Sequence, residues 1–508
     1  MSARFRRSSG SDEIKYAPGV AARVPPSHRP LRPLEWIALL HAGIFLVWIT
    51  WAFGGGAETM RPKLAWWGTL GILITLTALQ DRDAWRDGWM RPLIWLWPFA
   101  AFNAIVLIGC FNPSFREATL DGDTLLIAQQ SISWLPSSAR PNLALSGLWM
   151  FNALWLPAFN LALLVRQRRA LRGLLLVAVI NALALSVFGT AQKLLQAPGI
   201  YFGQVASPQK YFFASFIYHN HWGAFTLLMM AAGLGLVWHY ARRHEARNFF
   251  HSVAFAGLVV LLFLAVTLPL SGSRSATLLG AALLGGAFLH WMIRFARTRR
   301  RHRESVLLPF AGAFVALVVA LAGIWFVARD TIAKRASLTR EQVADMALRG
   351  GIGSRSALYH DTWRMAAVRP WMGWGMQSYP HVFTLYNSQR SVDQLPAFYR
   401  DAHSDWLQSF AEHGFIGSAL LGLCALVPLL RLRRRHFGSP LPAYLLAGCG
   451  LLLVYAWVEF PFGNLAVVLT WWITFFGAVQ YARLQDREAP TPAKSDPSPS
   501  GALPSVTP

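Results

Sequence analysis

The chain alternates long apolar runs with short polar breaks, and many of the breaks are basic. Runs of about 20 mostly apolar residues, enough to cross a bilayer, begin near Leu34, Leu64, Leu93, Leu143, Leu174, Trp222, Phe250, Ala276, Val306, Phe415, Leu441 and Leu465. The pattern predicts an all-α polytopic membrane protein of about 12 transmembrane helices. It also predicts an organisation: a tail over 1–33, nine spans within 34–328, one large loop over 329–413, three spans within 414–483, and a second tail over 484–508. The tails are rich in Pro and Ser with Arg or Thr, and neither buries enough apolar surface to fold alone. No small-residue cleavage site follows the run Leu34 to Phe53, so it reads as a permanent span.

Composition sharpens this. The chain is 54% hydrophobic and 14% charged, against about 25% charged in soluble domains. A soluble enzyme and a coiled coil are thereby excluded. Three cysteines rule out a disulfide scaffold, and a bilayer gives the 23 tryptophans a use at its interfaces. Lys and Arg number 47 against 24 Asp and Glu, a net charge of +23. In a soluble chain that excess would suggest nucleic acid. Its placement says otherwise. With the N-terminus inside and every run crossing, 30 basic residues fall in inside segments, seven in short outside loops and ten in the long loop, which the charge rule does not count. Both termini are therefore expected in the cytoplasm, and no nucleic-acid partner is needed.

Candidate chemistry lies on the outside face. One segment, about 191–221, ends Phe216-Ile217-Tyr218-His219-Asn220-His221. A second is the turn Ser271-Gly272-Ser273-Arg274 between two spans. The third is the long loop. Its Trp, Tyr and Phe content argues that it is folded, and loops of that length are usually functional or disordered. A helix is expected over Ser356 to Val368, with Tyr359, Trp363 and Ala366 on one face, ended by Pro370 and Gly373-Trp374-Gly375. A second is expected from Asp401 as N-cap, which puts His403 in a first turn where free N–H groups favour an anion. Arg274, at a membrane edge, reads either as a functional cation or as a snorkelling one. Arg355, Arg364, His403, His219, His221 and Glu459 each carry the same ambiguity. Asp401, His403 and Asp405 offer metal-type ligands. Residues two apart do not share a helix face, however, and no tight Cys/His spacing is present, so no metal and no cofactor are expected.

Four stretches, in this order, resemble the O-antigen ligase/polymerase superfamily of bacterial membrane proteins. Phe216 to Gly223 is similar to an F-V-N-R-N-H-F-A type segment. Leu270-Ser271-Gly272-Ser273-Arg274-Ser275 is similar to an S-x-S-R-G span start. Arg355, Tyr359-His360-Asp361-Thr362 and Arg369-Pro370-Trp371-Met372-Gly373-Trp374-Gly375 resemble G-R … Y-x-D-T … P-L-x-G-x-G. Ala402-His403-Ser404-Asp405-Trp406-Leu407-Gln408, with Ala411-Glu412 and Gly414-Phe415-Ile416-Gly417, resembles A-H-N-D-Y-L-Q … A-E … G-L-I-G. The resemblance covers about residues 200–480. Three positions depart from the pattern: Ser404 for Asn, His219 for Arg, and Glu459 where an Asp-Phe pair is frequent.

The resemblance implies a GT-C-like, metal-independent, inverting glycosyltransferase of the bacterial inner membrane with a periplasmic active site. Its donor would be a glycan on undecaprenyl diphosphate. The acceptor would be the lipid A core in a ligase, a growing glycan in a polymerase, or a protein in an O-oligosaccharyltransferase. Arginine forks match phosphate oxygens and supply the charge a diphosphate leaving group needs, which makes Arg274 and Arg355 catalytic candidates. His403 is the candidate base, since an ordinary histidine pKa of about 6.5 suits that task, or else a diphosphate ligand. His219, Asn220, His221, Arg364, Trp374, Asp405 and Glu459 are the substrate-binding candidates. A lipid-linked glycan flippase would share the span count, but transporters place polar groups at the midplane, whereas here they gather at one edge. A membrane scaffold is the remaining alternative.

Overall fold

The computed structural model describes residues 30–488 except 121–122, 210, 242–249, 390–397 and much of 309–352. The span expected from Val306, the first part of the long loop and nearly all of both tails lie largely outside the described residues. Among those described, nine helices are long and apolar enough to cross a membrane: Pro33–Trp51, Arg91–Cys110, Pro141–Leu164, Arg168–Leu194, His219–Ala241, Val253–Ser271, Arg274–Arg301, Asp405–Leu430 and Leu465–Gln485. Leu441–Tyr455 is apolar but shorter. Arg61–Leu79 is a further 19-residue helix. The protein is thus a mostly helical, multi-pass membrane protein, and each expected run within the described residues forms a helix.

Leu465–Gln485, Pro141–Leu164 and His219–Ala241 form the centre of the bundle, with 94%, 78% and 72% of their spanning windows buried. Arg274–Arg301 lies at the periphery, with 22% buried. With lipid outside, no hydrophobic effect drives helix on helix, so close packing must do it. Gly68 shows how: a Cβ there would overlap the Ala153 carbonyl, and this lets Arg61–Leu79 lie directly on Pro141–Leu164. At one end of the bundle Asp81 pairs with Arg32 at 3.0 Å and Arg166 at 3.4 Å. Arg166 and Arg487 both sit over the Trp89 ring. The two described ends of the chain therefore meet on the same face.

At the opposite end stands a smaller folded layer. It contains the helix Gly353–Val368, the short helix Tyr379–Val382 and an antiparallel hairpin of Phe115–Leu120 with Asp123–Ala128, in register Phe115↔Ala128. The hairpin corrects the purely helical expectation. Its sequence signal was the Asp121-Gly122 dipeptide between two strand-like runs. The layer has its own core of Leu358, Met365, Trp374, Tyr379, Phe383 and Ala411. The buried face of Gly353–Val368 carries Leu358, Asp361, Thr362, Met365 and Ala366, with Trp363 exposed. The expected face is thus rotated by about one position, although Trp363 still stacks on Phe410 at 5.6 Å.

A second correction concerns the helix expected from Asp401. It begins at Asp405 with Ser404 as its N-cap, whose side chain accepts from Leu407 N. His403 therefore precedes the cap, at φ 52°, instead of sitting in the first turn. Asn and Ser are about equally good N-caps, which gives the Ser404 departure a physical reading. The same helix is interrupted at Gly414 (φ 62°, ψ −168°), a conformation open essentially only to glycine. The segment 370–375 threads the break. Trp374 N and Gly375 N donate to the carbonyls of Ala411 and Glu412 at 3.0 and 2.8 Å, while Phe415 N and Ile416 N donate to those of Pro370 and Trp371 at 2.7 and 3.1 Å. The Arg-Pro-Trp-Met-Gly-Trp-Gly stretch thus supplies the partners that a broken membrane helix would otherwise lack. The buried Glu412 carboxylate accepts from Gln377 N and Tyr379 N, fixing the start of the short helix.

Candidate active site

The loop 456–464, between the last two helices, is held by the start of Asp405–Leu430. Asp405 N donates to Ala456 O at 2.9 Å, Phe462 N donates to Asp405 Oδ2 at 2.8 Å, and the Trp406 indole donates to Leu453 O at 2.9 Å. This clasp presents Glu459, buried, beside His403. Asp405, expected to bind substrate, is positioned by the fold as part of the clasp.

Glu459 is bracketed on both sides. Arg355 Nη2 donates to Glu459 Oε1 at 2.7 Å, and its Nη1 donates to the Val458 carbonyl at 3.0 Å. His403 Nδ1 lies 3.7 Å from Glu459 Oε2. That separation is longer than a hydrogen bond, and among the described residues neither atom has another partner although both are buried. Burial alone would raise the Glu459 carboxyl, but His403 and the Arg355 guanidinium outweigh it and hold the group below its ordinary 4.5. Burial also works against the charge on Arg355, and Glu459 more than offsets that.

The imidazole is held from several directions. The His403 carbonyl accepts from the Tyr359 hydroxyl at 2.9 Å. Its ring lies perpendicular to that of Phe460, with centroids 4.8 Å apart. Phe460 in turn stacks on Tyr218 at 5.4 Å, and its carbonyl faces His221 Nε2 at 3.3 Å. Asn220 Nδ2 donates to the Tyr218 hydroxyl at 2.8 Å. Asn220 and His221 thus join the cluster through Tyr218 and Phe460. His219 turns toward Tyr211, with Nδ1 3.3 Å from its carbonyl.

The turn bearing Arg274 reaches the same place. Gly272, at φ 84°, caps the helix Val253–Ser271, and Ser273 caps the next. The Ser273 hydroxyl lies 3.1 Å from the Tyr455 hydroxyl, one residue before the 456–464 loop. Arg274 opens its helix with an exposed side chain.

Two expected residues lie elsewhere. Arg364 is exposed and faces Asp361 Oδ1 at 3.7 Å; nine positions beyond Arg355, it falls on the opposite side of the helix. Trp374 is buried in the smaller core, with its indole donating to Met365 O and its ring under Arg369. Conversely, Tyr218 and Tyr359, which stand in the sequence only as members of quoted motifs, belong to the cluster, and so does Phe460. Among the described residues, no three His, Cys, Asp or Glu side chains converge as a metal ion requires.

The arrangement offers a cation, a buried carboxylate and an imidazole in sequence, with a second arginine on the adjoining turn. That is equipment for moving a proton beside a developing anion. Residues 258–422 match a family model described as O-antigen ligase. The match takes in Arg274, Arg355 and His403; the Tyr218–His221 and Glu459 segments lie outside it. No curated protein matches the chain at a significant level.

Proposed function

With the match of residues 258–422 to a family model described as O-antigen ligase as the premise, we propose that this chain transfers a glycan from undecaprenyl diphosphate to an acceptor hydroxyl at the periplasmic face of the bacterial inner membrane. The acceptor we propose is the lipid A core. The observation that carries the reading is the Arg355–Glu459–His403 constellation beside the Arg274 turn.

In this reading Glu459 faces His403 Nδ1 and fixes the ring, which leaves Nε2 as the base. The acceptor oxygen attacks the anomeric carbon from the side opposite the leaving group. The new C–O bond forms as the bond from that carbon to the diphosphate oxygen breaks, and the anomeric configuration inverts. The acceptor proton passes to His403 Nε2, and Glu459 stabilises the imidazolium. Undecaprenyl diphosphate leaves with the bonding electron pair, and Arg274 with the remaining N–H groups of Arg355 stabilises that charge. Guanidinium donors supply what a metal would otherwise provide. The 30 basic residues assigned to inside segments support an orientation with both termini cytoplasmic.

The test is alanine at His403 or Arg274, scored by glycan transfer in a complementation assay with membrane insertion checked alongside. Transfer should be abolished with insertion intact. Normal transfer by either variant removes that residue from the mechanism.

A further inference from the structure

Next to His403 lies a second polar group that the mechanism above does not use. Asp401 stands two residues before it, and its Oδ1 would be 3.7 Å from a Cβ placed on Gly463, in the loop that carries Glu459. The carboxylate makes no hydrogen bond to any described residue. Burial raises its pKa, and Arg400, His403 and Arg61 pull it back down, so all three lie within electrostatic reach. Arg61 opens the helix Arg61–Leu79. Its Nε is buried and without a hydrogen-bond partner among the described residues. Glu58, the nearby carboxylate that could have served Arg61, is engaged by Arg400 at 3.2 Å.

The half-buried Asp401 carboxylate and the buried Arg61 Nε lie within electrostatic reach of one another, neither with a hydrogen-bond partner among the described residues, and a buried N–H is costly unless something accepts from it. Their chemistry is complementary to a sugar: the carboxylate accepts from one hydroxyl, and the guanidinium Nε–H donates to its neighbour. We propose that Asp401 and Arg61 form the acceptor subsite, binding a vicinal diol of the acceptor glycan so that a hydroxyl is presented to His403. The proposal rests on the transferase reading and names the side of the site that the acceptor enters. A site built to hydrogen-bond a hydroxyl also discriminates strongly against acceptors that lack it.

The experiment uses the full-length protein in detergent, with rough lipopolysaccharide as acceptor probe and an undecaprenyl-diphosphate-linked glycan as donor. Asp401→Asn and Arg61→Gln are each measured for acceptor binding in the absence of donor, for donor binding, and for KM toward each substrate. Acceptor affinity should fall about tenfold or more, as expected for losing a charge-assisted hydrogen bond, with donor binding and donor KM unchanged. Unchanged donor binding also reports an intact fold. Acceptor binding equal to wild type, or an equal loss toward both substrates, overturns the subsite. If wild type binds acceptor yet transfers nothing, the transferase reading fails, while the binding arm still judges the subsite.

Discussion

Replacing Glu459 by glutamine separates the charge of this residue from its shape. The amide fills the same space and keeps an oxygen where Arg355 Nη2 now donates at 2.7 Å. It cannot stabilise a proton on His403. The Glu459 side chain is 6% exposed and that of Arg355 49%. A charge-assisted hydrogen bond contributes about 1.5–3 kcal/mol; solvent screening on the arginine side brings the expected stability loss to about 1–2 kcal/mol. The kinetic loss should be larger, because an oriented base is worth about 10²–10⁴-fold, and it should appear in kcat with donor KM nearly unchanged. The pH dependence gives a second readout. The folded carboxyl is held below its ordinary value of 4.5, so its stabilisation is complete above that value and is lost as pH falls through the lower folded one. The Glu459 contribution to wild-type stability should therefore be constant from neutral pH to about pH 5 and decline below it, and the difference in thermal midpoint between wild type and the glutamine variant should shrink over that acid limb. Wild-type kcat in the variant, or identical acid limbs in the two proteins, would refute the reasoning.

Three further outcomes follow from the same geometry. Gly414→Ala places a Cβ against the Trp371 carbonyl at φ 62°, which should cost about 1–3 kcal/mol in backbone strain alone; a thermal midpoint equal to wild type in detergent would contradict this. Ser404→Asn should leave stability and transfer nearly unchanged, whereas Ser404→Ala should lose about 1 kcal/mol of cap stabilisation, measured by thermal unfolding. Transfer should be undiminished in EDTA; a loss restored by Mg²⁺ would replace arginine with a metal ion in the diphosphate role.

Much of this was legible from hydropathy, because in lipid the chain must bury its backbone polar groups in helices. Each apolar run in the described residues became one. The site was legible only in pieces. Arg355, His403 and Glu459 were each visible, but 104 positions separate Arg355 from Glu459, and no local period encodes their meeting. That contact depends on Asp405 clasping the 456–464 loop. Capping preference alone does not place the helix start, because Asp401 and Ser404 are both good N-caps. What decides between them is tertiary: Asp405 N and the Ser404 hydroxyl both bond the Ala456 carbonyl. The hairpin leaves little trace in hydropathy because its two strands are six residues each, far shorter than a membrane span.

The most direct measurement is glycan transfer by the purified protein in detergent, where no bilayer separates two compartments. With an undecaprenyl-diphosphate-linked glycan and rough lipopolysaccharide, wild type should form glycosylated lipopolysaccharide, and His403→Ala should form none. Absence of product from wild type, together with movement of the same lipid across the bilayer of proteoliposomes, would contradict the enzyme and establish a transporter in its place.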